Sequence, residues 1–68
     1  MSADNGIIVR SLSDGWWVAY GFASDESWGS IEFMRKGARY ATRGEALVAA
    51  HDLEHKYGYL EYGVTEVP

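Results

Sequence analysis

The chain has 68 residues and a formal net charge of -4, from six lysines and arginines against ten aspartates and glutamates. Hydrophobic residues make up 47% and aromatic residues 15%, which excludes an intrinsically disordered acidic segment. The absence of cysteine excludes a disulfide framework and a thiolate metal site. We expect one small domain, 1–68, of low stability, because a chain of this length buries only about 60% of its unfolded surface.

The N-terminus is polar and has no cationic region ahead of an apolar core, so we expect no signal peptide. No apolar run approaches the length of about 18 residues that a membrane span needs. These features predict a cytoplasmic protein.

The first two elements form a predicted β-hairpin. Gly6–Leu12 (GIIVRSL) is rich in β-branched residues, and the turn at 13–15 (SDG) contains a glycine. Trp16–Ala23 (WWVAYGFA) then predicts a second strand, in which Trp16 and Trp17 point to opposite faces.

The middle of the chain has weaker patterns. Ser24–Ser30 (SDESWGS) is polar except for its tryptophan and is predicted to be a loop. Ile31–Met34 is predicted as a short third strand, which a turn at Lys36 and Gly37 would join to residues 38–40.

A helix is predicted from Arg43 to Tyr57. Thr42 and Glu45 have the T-x-x-E spacing of a capping box, and Gly58 is placed to end the helix in a left-handed conformation. Its core-facing residues recur at spacings of three and four: Ala46, Leu47, Ala50, Leu53, Glu54 and Tyr57. Alternation then predicts a last strand over 59–67, with Leu60, Tyr62 and Val64 pointing inward.

The predicted fold class is α+β, with the element order β-β-(β)-α-β. A mainly antiparallel sheet of three to four strands would carry one helix, about 43–57, packed on one face. The opposite face would expose aromatic residues, Trp17 first among them, and an exposed aromatic on an open sheet face is typical of a partner site or a homodimer interface.

The segment HDLEH places His51 and His55 one helical turn apart, the spacing of two zinc ligands in the H-x-x-E-H pattern of inverted zinc peptidases. A catalytic zinc also needs a third ligand and a cleft. Among the residues that follow His55, only Glu61 or Glu66 could serve as the third ligand. We therefore expect a solvated helix flank and no metal, with weak zinc or nickel binding as the alternative.

The sequence offers no pattern of an enzyme or a cofactor site. It contains no G-x-S-x-G, and its glycines form no phosphate-binding loop. Asp25 and Glu26 are adjacent in the predicted loop, which indicates a solvated acidic segment rather than an acid/base pair. The expected class is a non-enzymatic binding protein without a cofactor.

Two surfaces compete as the binding face. The first is acidic: Asp25 and Glu26 share the exposed loop with Trp28, and carboxylates beside an aromatic anchor could occupy a basic groove in place of phosphates. The second is basic, formed by Arg35, Lys36, Arg39 and Arg43, with Phe33 and Tyr40 nearby. Basic residues among aromatics can hold a single nucleic-acid strand, but the pI near 4.9 is opposite to that of a typical nucleic-acid module.

The opening MSADNGI, the hairpin, the capped helix and the ending LEHKYGYLEYGV resemble small uncharacterised proteins encoded by bacteriophages and prophages. The resemblance implies a genomic context and a fold type, and it assigns no functional residue. By size and charge alone the chain is similar to anti-CRISPR proteins, which implies an inhibitor of a host defence nucleoprotein machine that mimics nucleic acid with an acidic surface. The alternatives are a homodimeric regulatory or structural phage protein and a small nucleic-acid-binding module.

Overall fold

A computed structural model of the protein describes residues 4–68, so Met1, Ser2 and Ala3, which begin the polar N-terminus and the MSADNGI opening, lie outside the described residues. It contains four strands and two helices within that range: β1 Asn5–Leu12, β2 Gly15–Phe22, α1 Ile31–Arg35, β3 Ala38–Tyr40, α2 Arg43–Tyr57 and β4 Val64–Val67. The strands form one sheet in the order β3-β2-β1-β4. The predicted α+β class is confirmed.

Strands β1 and β2 form the predicted antiparallel hairpin, paired from Asn5 opposite Phe22 to Leu12 opposite Gly15. Strand β3 is antiparallel to the first half of β2, whereas β4 runs parallel to β1. The sheet is therefore mixed rather than purely antiparallel. Helix α2 connects β3, at one edge of the sheet, to β4, at the other edge beside β1. A helical crossover of this kind joins strands that run in the same direction, so β4 is parallel to β1 rather than antiparallel.

Helix α2 begins and ends where the sequence predicts. The Thr42 hydroxyl accepts a hydrogen bond from the backbone N–H of Glu45 over 3.2 Å, and the Glu45 carboxylate accepts one from the N–H of Thr42 over 3.1 Å. Gly58 ends the helix with a φ of 82°. The helix buries Ala46 and Ala50 against the sheet, in a first core completed by Ile7, Val9, Val18 and Leu60.

The prediction of a strand over Ile31–Met34 is wrong, because these residues form helix α1. The Ser30 hydroxyl caps the helix by accepting a hydrogen bond from the backbone N–H of Phe33. The adjacent residues Phe33 and Met34 are both buried, which a strand with one solvated face would not allow. A segment of five residues has too few turns for its period to separate a helix from a strand.

Helix α1 builds a second core on the sheet face opposite α2, so the expectation of a single helix on one face is also wrong. Phe33 and Met34 pack there against Ile8 and Ala19. The close approach requires Gly21, because a Cβ at that position would lie 2.5 Å from the Phe33 ring. The face predicted to be open is therefore partly covered.

The last strand is shorter than predicted, because β4 begins at Val64 and the preceding residues 59–63 form a loop. Leu60 is buried, as predicted, but Tyr62 is 48% exposed and does not point into the core. Gly63 turns the chain with a φ of 59°, and its N–H donates to the Leu60 carbonyl. This turn breaks the alternation of the strand between Leu60 and Val64.

Candidate functional site

One buried polar residue, Asn5, organises the end of the sheet where β1 begins. Only 8% of its surface is exposed. Its side-chain amide donates to the Tyr20 hydroxyl and to the Tyr59 carbonyl, both over 3.3 Å, and its side-chain oxygen accepts from the N–H of Glu61 over 3.1 Å. Its backbone carbonyl accepts from the N–H of Tyr62. Asn5 therefore fixes the 59–63 loop against the hairpin.

Large aromatic side chains reach solvent around this residue. Tyr57 stacks on Tyr20 with ring centroids 4.1 Å apart, and Phe22 meets Tyr20 edge-on at 5.9 Å. The half-exposed or exposed rings are Phe22 at 50%, Tyr57 at 48%, Tyr59 at 72% and Tyr62 at 48%. Scattered exposed apolar residues are normal, but rings grouped at one end of a small domain are typical of an interaction surface.

Carboxylates lie beside these rings. The backbone N–H of Asp4 donates to the Glu61 carboxylate, and the Asp4 carboxylate accepts from the N–H of Ser24 over 2.8 Å. Asp4 thus joins the 59–63 loop to the turn after β2, which carries Asp25 and Glu26. We call this surface the acidic end and define it by two sets of residues: the rings Phe22, Tyr57, Tyr59 and Tyr62, and the carboxylates Asp4, Asp25, Glu26 and Glu61.

The carboxylates of the acidic end change the pKa of Tyr62. The negative charges of Glu61 and Asp4 raise the pKa of the Tyr62 phenol above its ordinary value. Hydrogen bonding of the phenol to the Asp4 and Glu61 side chains adds to this rise, so Tyr62 joins the two carboxylates as a neutral group.

Asp25 and Glu26 are exposed in the loop after β2, as the sequence predicts. The Asp25 carboxylate accepts hydrogen bonds from the backbone N–H and the hydroxyl of Ser27, at 2.9 and 2.8 Å. The backbone hydrogen bond from Ser27 is the main reason that the pKa of Asp25 is lowered. This carboxylate is held in its charged form in a fixed turn.

Trp28 lies in the same loop but does not extend into solvent. Its ring meets Phe33 at 5.2 Å between centroids and packs against the second core. It also approaches Tyr62 at 6.5 Å. This packing gives the tryptophan a role in holding the loop to the sheet, and its expected role as an aromatic anchor next to Asp25 stays a prediction.

Trp17 is half-buried on the α1 face of the sheet. It packs at the edge of the second core, and its indole N–H donates to the Asp14 carboxylate over 3.2 Å. The Arg35 guanidinium lies 4.8 Å from the centre of its ring and forms a 2.7 Å ion pair with Asp14. Helix α1 and Arg35 cover part of this face, and the homodimer expected through the open sheet face stays a prediction.

The predicted basic cluster is divided by the fold. Arg35 and Arg39 both contact Asp14 on the α1 face. Arg43, at the start of α2, forms two 2.8 Å hydrogen bonds with the Glu66 carboxylate. Lys36 is exposed after α1 and lines a depression of about 260 Å³ that Asp25 also lines. Only part of the cluster therefore belongs to one surface.

His51 and His55 are exposed on α2, on one flank of the helix with Glu54. The His51 Nδ1 atom lies 3.3 Å from a Glu54 carboxylate oxygen. Within residues 4–68, no group of three or more histidine or carboxylate side chains could hold a metal ion. Glu66 pairs with Arg43, and Glu61 belongs to the acidic end, so the structure brings neither of the predicted third ligands to the histidines.

Two features of the candidate site are not predicted by the sequence analysis. Asn5 carries no motif, although a lone polar residue just before an apolar run was the available signal. Tyr62 and its neighbours were assigned to a strand because they alternate, and the loop that exposes them depends on contacts with a residue more than fifty positions away.

Comparison of the chain with models of protein families, with curated protein sequences and with solved structures found no match. No helix within the described residues is long and apolar enough to cross a membrane. Function is therefore inferred from the chemistry of the surface.

Proposed function

We propose that this chain is a non-enzymatic binding protein that docks its acidic end onto a cationic surface of a partner protein. The observation that carries the proposal is the grouping of exposed rings and carboxylates around Asn5. The resemblance to phage proteins supports a finer form of it, in which the partner is a host defence nucleoprotein machine and the carboxylates take the place of phosphates.

The composition of the acidic end suits this task. Tyrosine and tryptophan are enriched among the residues that dominate binding energy, because their rings bury much area and retain a polar tip. Tyr57 and Tyr59 supply such rings, and Tyr57 is already positioned by its stack on Tyr20. Carboxylates at the rim steer association with a basic partner and select against acidic ones.

The state of the carboxylates supports binding rather than catalysis. A general acid at neutral pH needs a raised pKa, which burial or a like charge provides. Asp25 is exposed and its pKa is lowered by the hydrogen bonds from Ser27. A carboxylate that is charged at neutral pH and held in a turn is suited to an ion pair with an arginine or lysine of a partner.

The test begins with a pull-down from bacterial lysate, with the captured proteins identified by mass spectrometry. Binding of the purified partner is then measured against salt, and it should weaken steadily because exposed charge pairs are screened over about 8 Å at physiological ionic strength. Displacement of nucleic acid from the partner tests the mimicry. A partner that binds equally at low and high salt would contradict the electrostatic part of the proposal.

Two matched pairs of variants locate the surface. Glu26→Lys should weaken binding, whereas Asp52→Lys, the same charge change on exposed α2, should not. Tyr59→Ser should cost about 2 kcal/mol of binding free energy, as a hot-spot residue does, whereas Val48→Ser should leave binding unchanged. Val48 is 64% exposed on α2, comparable to Tyr59 at 72%. Equal effects within either pair would remove the acidic end from the proposal.

A further inference from the structure

The α1 face of the sheet carries a row of cations centred on a tryptophan. Arg10 on β1 and Arg39 on β3 are the direct neighbours of Trp17 on β2, one on each side. Residues opposite one another on neighbouring strands share a face, so the three side chains lie in one row about 10 Å across. Arg35 reaches the same place from α1 and lies over the Trp17 ring at 4.8 Å.

Each arginine of the row is held by a hydrogen bond that leaves most of its donors available. An Arg10 N–H donates to the Gly29 carbonyl over 2.7 Å, Arg35 donates to the Asp14 carboxylate over 2.7 Å, and Arg39 donates to the Asp14 carbonyl. A guanidinium has five N–H donors. The fixed side chains can therefore receive an anion without first being ordered, which lowers the entropic cost of binding.

Asp14 is the carboxylate that partly neutralises this surface. Its pKa is lowered, chiefly by the hydrogen bond from Arg35, so it stays charged at neutral pH. The pair with Arg35 is open to water, with 42% of the arginine side chain and 47% of the aspartate side chain exposed. The Asp14 carboxylate pairs with Arg35, whereas Arg10 and Arg39 donate to backbone carbonyls, so the row retains an excess of positive charge.

We propose that Arg10, Trp17, Arg35 and Arg39 form a binding site for single-stranded nucleic acid. The arginines would bind successive phosphates, and an unpaired base would stack on the Arg35 guanidinium, which lies over the Trp17 ring and whose side chain is 42% exposed. Stacking of a base on an arginine plane is common in single-strand recognition and does not depend on base sequence. The acidic character of the chain is not an obstacle, because Asp4, Asp25 and Glu61 lie at the other end of the β1–β2 hairpin.

The site is distinct from the acidic end and does not depend on its function. A partner protein captured through the acidic end and an oligonucleotide bound by this face are separate measurements on the same chain. Either can fail while the other stands.

The test is fluorescence anisotropy of a labelled oligothymidylate of about ten nucleotides, titrated with purified protein at low salt. Arg35→Gln/Arg39→Gln should weaken binding about tenfold. It should also reduce the slope of log K against log salt by about 1.4, since each phosphate contact on a single strand contributes about 0.7. The control is Arg43→Gln/Lys56→Gln, which removes the same charge from α2 and should leave both values unchanged.

Two further measurements separate this site from general attraction of anions. Asp14→Asn should tighten binding, because it removes the competing charge and retains an oxygen for the Trp17 indole N–H. An abasic oligonucleotide of equal length should bind at least about fivefold more weakly than oligothymidylate, because it offers no base to stack.

Four results would overturn the proposal: no binding of oligothymidylate by the wild type at low salt, equal losses in the two double variants, weaker binding after Asp14→Asn, or equal binding of the abasic strand. Circular dichroism of each variant shows that a lost affinity is not a lost fold.

Discussion

The most informative perturbation of stability is Asn5→Ala, which removes three side-chain hydrogen bonds from the start of β1. A net hydrogen bond contributes about 1 kcal/mol. Tyr20 is half-buried and Tyr59 is exposed, so water can replace part of the loss at two of the three partners. We expect the free energy of unfolding to fall by about 2 kcal/mol, which is close to half of the 3–5 kcal/mol that a core of this size supplies.

Urea unfolding followed by circular dichroism measures this change as a lower midpoint with an unaltered slope. The control is Ser11→Ala on the same strand, where the side chain is exposed and the expected loss is within about 0.5 kcal/mol. If Asn5→Ala unfolds at the same urea concentration as Ser11→Ala, Asn5 does not hold the 59–63 loop, and the geometry of the acidic end needs another explanation.

The other predictions concern helix α2. Thr42→Ala should lower the free energy of unfolding by about 1 kcal/mol, the usual contribution of an N-cap, and an unchanged thermal midpoint would contradict the capping box. Leu53→Ala should lower the free energy of unfolding by about 2 kcal/mol, the low end for a leucine because this one is only partly buried. His55→Ala should lower it by less than about 0.5 kcal/mol. If urea unfolding shows the larger loss for His55→Ala, the faces of the helix are misassigned. The hydrogen bonds from Arg43 lower the pKa of Glu66, so the folded state gains stability above the unfolded-state pKa and loses it as the pH falls through the lowered one. Glu66→Gln should therefore be less stable than wild type at neutral pH, and thermal melts of the two should converge in acid; a constant difference would contradict the ion pair.

The sequence predicted the candidate surfaces only in part. Asp25 and Glu26 were expected in a solvated loop, and the structure places them there. Trp28 lies in the same loop, but its ring is held by Phe33, a contact that depends on α1 being a helix. The basic cluster is predicted from residues that are close together along the chain. In the fold, Arg43 lies on the opposite face of the sheet and bonds Glu66, whereas Arg10, which was not part of the predicted cluster, lies beside Trp17.

The sequence by itself determined the hairpin and helix α2, because their signals are local. A two-residue turn sets the register of β1 against β2, and the capping box joins residues only three positions apart. Such contacts form at little cost in loop entropy and need no partner elsewhere. The α+β class follows from the same elements.

Only the tertiary structure decided the identity of α1, the parallel position of β4 and the separation of charge between the two ends. Ile31–Arg35 is too short to hold a conformation alone, so its packing on Ile8 and Ala19 makes it a helix. The 59–63 loop is fixed by Asn5 from the other end of the chain. These features depend on the free energy of contacts between segments that are distant along the chain, and a local sequence pattern does not predict such contacts.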